Sequence, residues 1–208
     1  MKIEIGESLC YSYLRHVKQC WLVQTNWKTS EHWDKKMSDS DLQSLFDSMR
    51  KRFDPDGRVF KQTKNARTFL KQGEIDIVGA GQDGSVHAME IAFHEAGLHF
   101  GDSGVDTRVL KKLLRAMLIL KVYYPTMKEL HLYFASPKVH KAVQQPLKDS
   151  FVKLEKGYPE ITWHLLINDD FTRDVVCPTL KKAMTVADTS ELFVRAAKLL
   201  DLSREGDD

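Results

Sequence analysis

The sequence predicts an α/β protein in which a mixed central sheet is flanked by helices, and three observations predict it. Gly73 to Glu95, GEIDIVGAGQDGSVHAMEIAFHE, reads as two β-strands joined by a glycine-rich turn. Residues 108–121 repeat apolar side chains at helical spacing. Two later strand-like runs, 128–136 and 161–167, alternate with further helical segments.

In chain order, Cys10, Leu14, Val17 and Trp21 recur every three or four residues, which predicts an amphipathic helix over 7–22. Glu7 falls on the apolar side of that helix, with Arg15 and Lys18 opposite. A carboxylate at a helix start favours the dipole, and it gains a second use only where the helix lies against the hairpin. Gln24 to Ser30, QTNWKTS, is polar around Trp27 and reads as a loop or a short extended piece. Ser38-Asp39-Ser40-Asp41 supplies N-cap chemistry for a helix through Leu42, Leu45, Phe46 and Met49, which ends near Asp54-Pro55-Asp56-Gly57. Between Arg58 and Lys71, the cations Arg58, Lys61, Lys64, Arg67 and Lys71 interleave with Phe60 and Phe69. That mixture suits either a nucleic-acid backbone or a solvated surface. Residues 38–70 are expected to form a helical insertion within one domain spanning 1–208.

In the first hairpin strand Ile75 and Ile77 alternate with Glu74, Asp76 and Val78, so Asp76 lies on the less apolar face. In the second, Met89, Ile91 and Phe93 share one face while Ala88, Glu90, Ala92 and His94 share the other. Gly79, Gly81, Asp83 and Gly84 provide the turn, and folding back brings Asp76 and Glu90 together. Two carboxylates on neighbouring strands repel each other, and a hard divalent cation relieves the repulsion. The plainer alternative is two solvent-facing residues on an amphipathic hairpin.

Beyond the glycine-rich connection 97–104, Asp106-Thr107 is expected to cap the helix over 108–121. There Val109, Leu110, Leu113, Ala116, Met117 and Leu120 gather on one side, opposite Arg108, Lys111, Lys112 and Arg115. The basic side of this helix contains no acid, unlike an ordinary mixed polar face. A strand over 128–136 ends at Pro137, and a helix over 139–153 begins a new segment or kinks at Pro146. A strand over 161–167 precedes an acidic turn at Asp169-Asp170. The last helix, 190–202, is capped by Thr189 or Ser190, turns Leu192, Phe193, Ala196, Leu199 and Leu200 inward, and leaves a mobile tail over 203–208.

Of the 208 residues, 42% are apolar and 29% charged, the balance of an ordinary soluble protein. A net charge of +2 is too weak to attract nucleic acid by itself, so any such partner must meet a local basic patch. Cys10, Cys20 and Cys177 are odd in number and lack C-x-x-C spacing, so neither a disulfide framework nor a zinc knuckle is indicated and a reducing cytoplasm is the natural compartment. No apolar run is long enough to cross a membrane, and MKIEIGES lacks the apolar stretch of a signal peptide. Two apparent motifs fail on spacing and context. GAGQDG matches G-x-G-x-x-G, but a strand follows where a dinucleotide site needs a helix. HEAGLH places one residue too many between Glu95 and His99 for a zinc-protease HExxH.

With Glu7, Asp76 and Glu90 set on this order, the chain resembles the PD-(D/E)xK nuclease superfamily across roughly residues 5–135. The resemblance implies a restriction-endonuclease-like α-β-β-β-α-β core. It gives Asp76 the place of the first-strand acid, Glu90 that of the acid in (D/E)-x-K, and Glu7 that of the first-helix acid, together holding Mg²⁺ or Mn²⁺. Its motif lysine would stand at position 92, where this chain has Ala92. Lys111, Lys112 or Arg115 on the following helix, or His94, are the expected substitutes, and Glu95 joins the acids only if the strand end bulges. The implied function is metal-dependent hydrolysis of DNA phosphodiesters, with Asp76, Glu90, Lys111, Lys112 and His94 as catalytic candidates. Arg108, Lys111, Lys112, Arg115, Lys64 and Arg67 would contact the nucleic acid, and many proteins of this fold are homodimers. Ala92 motivates an alternative, an inactive nucleic-acid-binding protein on the same fold, and a scaffold without nucleic acid is a third reading.

Overall fold

The computed structural model describes residues 4–30, 32–61, 63–94, 96–98, 104–187 and 189–205. Its centre is a five-stranded sheet in the order β1 (Leu22–Lys28), β2 (Glu74–Ala80), β3 (Ser85–Ile91), β4 (Glu129–Ser136) and β5 (Ile161–Ile167). The first three strands pair antiparallel and the last two steps are parallel, so the sheet is mixed and open. Each parallel step is crossed by a helix, α4 (Val105–Tyr123) and then α5 (Lys141–Gly157). Helices α2 (Asp39–Phe53) and α3 (Ala66–Lys71) lie in the connection between β1 and β2, where the helical insertion is expected.

Along β4 neighbouring residues feed opposite layers. Leu132 and Phe134 join Phe46, Phe69, Leu113, Met117 and Leu147 under α2 to α5, whereas Tyr133 and Ala135 join Leu9, Leu14, Met89 and Val175 on the other side. That second layer comprises α1 (Ile5–Ser12), a π-turn over Tyr13–Val17, α6 (Asp169–Phe171), a π-turn over Thr172–Val176, α7 (Cys177–Ala183) and α8 (Leu192–Glu205). Glu191, at the entry to α8, ties the termini together. It accepts from Ser12 Oγ at 2.5 Å and meets His16 Nε2 at 2.9 Å.

Several expectations are corrected. The helix expected over 7–22 ends early, because Lys18 N bonds Tyr13 O and Cys20 N bonds Leu14 O, and Gln19 adopts φ 57° to turn the chain out. Of the two forms expected for QTNWKTS, loop or extended piece, the chain takes the extended one, as most of strand β1, whose Trp27 is buried. Pro146 lies inside one helix, α5, near its start. Gly104 caps α4, with Thr107 Oγ1 donating to its carbonyl at 2.7 Å, and Asp106 sits in the first turn. The acidic turn at Asp169-Asp170 opens a helical segment. In α8, Val194 is buried while Leu192 is 49% and Leu199 69% exposed, with Leu200 also largely exposed. The helix runs to Glu205, so residues 203–205 belong to it, and residues 206–208 lie outside those described.

On the α1 side of the sheet, His87, His131 and His164 stand on adjacent strands, with His87 opposite His131 and Tyr133 opposite His164. Their rings stack, His87 on His131 at 4.5 Å and His164 on Tyr133 at 4.1 Å. His131 Nδ1 lies 3.2 Å from His164 Nε2, and His87 Nδ1 lies 2.9 Å from Tyr133 Oη. Burial, then the neighbouring His131 and Lys18, push the His87 and His164 imidazoles down to about 4. Asp83 opposes this weakly at His87. A group held neutral in the fold and protonated when unfolded costs stability as pH falls from about 6.5 through about 4. Thermal melts should therefore show a smaller loss of Tm between pH 7 and pH 4.5 for His164→Phe than for wild type. An unchanged pH profile would remove this account of the ladder.

Candidate active site

The hairpin turn is fixed locally: Asp83 Oδ1 accepts from Ser85 N at 2.9 Å and Ser85 Oγ at 2.6 Å, and Gly84 takes φ 88°. Its far end is irregular. The β1–β2 ladder pairs Thr25 with Ile77 and Trp27 with Ile75, but skips the rung of Asn26 and Asp76, where Asn26 has φ 50°. Asn tolerates this left-handed conformation better than most side chains. Across the break the strict alternation of β2 is lost: Ile75 joins the α2–α5 core and Ile77 the α1 core, although both were expected on one face. The β2–β3 ladder is continuous to Ile77–Met89, and past it Asp76 Oδ2 accepts the backbone N–H of Ile91 at 2.7 Å. A carboxylate thus stands in for a backbone acceptor where the strands part.

Asp76 and Glu90 meet at this opening, and Lys112 of α4 closes it. Lys112 Nζ donates to Glu90 Oε2 at 2.8 Å and reaches Asp76 Oδ2 at 3.4 Å. Glu90 is 1% exposed, and among the described residues its Oε1 has no hydrogen-bond partner. Burial pushes its carboxyl up to about 8; Lys112 pulls it down less than burial raises it, and Asp76 adds to the rise. Burial also works against the Lys112 ammonium, but Glu90 and Asp76 more than restore it, so it stays charged. The alternative of two solvent-facing carboxylates fails at Glu90.

Glu7 is near but separate. Its Oε2 accepts from Asn26 Nδ2 at 3.4 Å, and the Glu4 backbone also bonds it, as a third-position acid does at a helix start. Burial raises its carboxyl, and the charge of Asp76 adds to that. A Cβ at Gly6 would lie 2.8 Å from the Phe93 ring, so glycine there lets α1 lie against the end of β3. Among the described residues no three acids, histidines or cysteines converge as a metal-ligand set. The two carboxylates that do meet suit a magnesium-like cation that keeps several waters, and the unpartnered Glu90 Oε1 is an oxygen such an ion would use.

The other expected residues divide. His94 is exposed and its ring makes no hydrogen bond or ion pair among the described residues; the chain leaves β3 at Ile91, so strand alternation no longer sets it on the Glu90 face. Glu95 and His99 lie outside the described residues. Arg115 is half-buried, donates to Gln72 O at 3.0 Å and lies 4.8 Å over the Phe69 ring, so it pins α3 to α4. Lys111 is near enough to Arg115 and Lys61 that, after burial, both depress its ammonium, against Asp54. Arg108, Lys64 and Arg67 are exposed. Asn26 was missed; an asparagine inside a strand-like polar run is the signal that would have marked it.

Comparisons with protein-family models, with curated proteins and with solved structures find no match to this chain. The fold and site therefore define it as an α/β protein with a mixed five-stranded sheet and a carboxylate–lysine cluster at the splayed end of a hairpin. Among the described residues no helix is long and apolar enough to cross a membrane.

Proposed function

We propose that the protein is a metal-dependent nuclease that hydrolyses DNA phosphodiester bonds on a divergent restriction-endonuclease-like core. The observation that carries this reading is the meeting of Asp76, the buried Glu90 and Lys112, with an ammonium supplied from α4 where the motif lysine is replaced by Ala92. Asp76 and Glu90 would hold Mg²⁺ or Mn²⁺. The ion, when bound, would make an attacking water easier to deprotonate and polarise the scissile phosphate. Lys112 would stabilise charge developing on that phosphate. Arg108, one turn before Lys112 on α4, and Lys111, which feels the charge of Lys61, would supply positive charge for flanking phosphates, and such binding weakens with salt. The free thiols Cys10, Cys20 and Cys177 fit a reducing, cytoplasmic setting.

The test is cleavage of plasmid and linear DNA by the purified chain with Mg²⁺ or Mn²⁺. The wild type should cut only with metal, and Asp76→Ala should cut at least about 100-fold more slowly, the scale of losing a principal electrostatic group. Cleavage that survives Asp76→Ala removes the assignment. Salt-sensitive binding without cleavage in either ion favours the inactive binder that Ala92 motivates.

A further inference from the structure

A second polar cavity, of about 300 Å³, opens between the end of β1, α3 and the last residue of α4, lined by Thr29, Ser30, Lys35, Arg67, Lys71 and Tyr123 above Leu70. Among the described residues its lining supplies three cations and three hydroxyls, those of Thr29, Ser30 and Tyr123, but no carboxylate. Asp39, just outside it, is ion-paired with Lys35, and this pairing holds its carboxyl below the usual range, with Arg67 adding to the effect. The guanidinium of Arg67 makes no ion pair or hydrogen bond among the described residues; only its backbone N–H does, to Asn65. Ser30 Oγ accepts from His32 N at 3.2 Å, which leaves its own proton to donate.

The three cations come from two segments, Lys35 beyond β1 and Arg67 and Lys71 on α3; Lys35 is already paired with Asp39, so the charge an entering anion meets is chiefly that of Arg67. A planar carboxylate would engage one wall. A tetrahedral oxyanion can take the Arg67 fork on one edge, ammonium groups on another and hydroxyls on a third. We propose that this cavity binds a phosphate group carried by a nucleic-acid strand, with Arg67 as its principal contact and Lys35, Lys71, Thr29 and Ser30 around it. The cavity is joined to the carboxylate site through one residue: Arg115, which feels the charge of Glu90, donates to the carbonyl of Gln72, the residue after α3. A strand lying across α3 and α4 would present one phosphate to each site. The inference reaches beyond the hydrolytic reading and stands even if Asp76 and Glu90 cut nothing.

The test uses the full chain without divalent metal, so that its failure is separate from failure of the nuclease reading. Inorganic phosphate, a 5′-phosphorylated oligonucleotide and the same oligonucleotide with a 5′-hydroxyl are titrated into wild type and Arg67→Glu, with amide NMR shifts as the readout. Arg67 is exposed, and a melt confirms that the variant is folded. Inorganic phosphate is expected to shift Thr29, Ser30 and Arg67 in the wild type, and Arg67→Glu should weaken it at least about tenfold, as loss of a bidentate contact would. A 5′-phosphate that tightens binding in an Arg67-dependent way identifies a strand end. Equal, Arg67-dependent binding of both oligonucleotides identifies an internal diester. Phosphate shifts located elsewhere, or binding indifferent to Arg67→Glu, overturn the proposal.

Discussion

Glu90→Gln should cut cleavage at least about 100-fold while making the fold more stable at alkaline pH. The opposite signs follow from one fact: Glu90 is buried at the hairpin end, and its carboxyl is raised to about 8 by that burial. A folded-state value raised above the ordinary 4.5 favours the neutral form, so the contribution of Glu90 is fully present below about pH 4.5 and is lost as pH rises through about 8. Glutamine keeps the shape and never ionises. The Tm advantage of the variant should therefore be small at pH 5 and grow to pH 9, at about 2–4 °C for each kcal/mol in a chain of this size. Lys112, whose side chain is 47% exposed, can turn to water or to Asp76 when Glu90 is neutralised, so removing one partner does not strand a buried charge. Activity should fall at least about 100-fold, since glutamine is a poor ligand for a hard cation and leaves Asp76 alone. Differential scanning calorimetry across pH with a cleavage assay on the same samples checks both. A variant that is less stable at pH 9 would mean that Glu90 is a structural acid.

Lys112→Met should lower cleavage by about 10²- to 10³-fold, while Lys111→Met costs far less. Methionine preserves an apolar stem of similar length and removes only the charge. The two lysines are sequence neighbours, but only Lys112 reaches Glu90 and Asp76, at 2.8 and 3.4 Å. Loss of Lys112 also removes the main influence lowering the Glu90 carboxyl, so the pH at which Glu90 ionises moves upward. The rate–pH profile of the variant should shift to higher pH accordingly. Ala92→Lys in the Lys112→Met background returns an ammonium to the strand position that the resemblance implies, and should recover part of the rate. Equal losses from Lys111→Met and Lys112→Met would show that the basic face acts only as a general field.

Much of this site was legible because the hairpin signals are local. Alternation around Glu90 and the turn at Asp83 and Gly84 need no tertiary information, and the apolar spacing of α4 is equally direct, although the alternation of β2 fails at Asp76 itself. What was not legible depends on contacts between distant segments. Helical phase puts Lys111 and Lys112 on the same polar side, and only the way α4 crosses β3 selects Lys112. The polar sequence of β1 hides a strand whose pairing comes from β2, and Asn26 breaks that pairing through one backbone angle. The early end of the first helix arises from the π-turn over Tyr13–Val17, which its apolar spacing does not reveal. The leucines of α8 look inward by period, yet the helix docks through Val194 and the Glu191 clamp.

The central claim, that Asp76 and Glu90 form one cation site beside Lys112, is tested most directly by anomalous diffraction from crystals soaked in Mn²⁺. The account predicts one manganese peak within ligand distance of both carboxylates, with Glu90 Oε1 among its oxygens, and no peak there in Glu90→Gln. Crystals that take up manganese elsewhere, or that leave Lys112 bridging the two acids with no density between them, would contradict it.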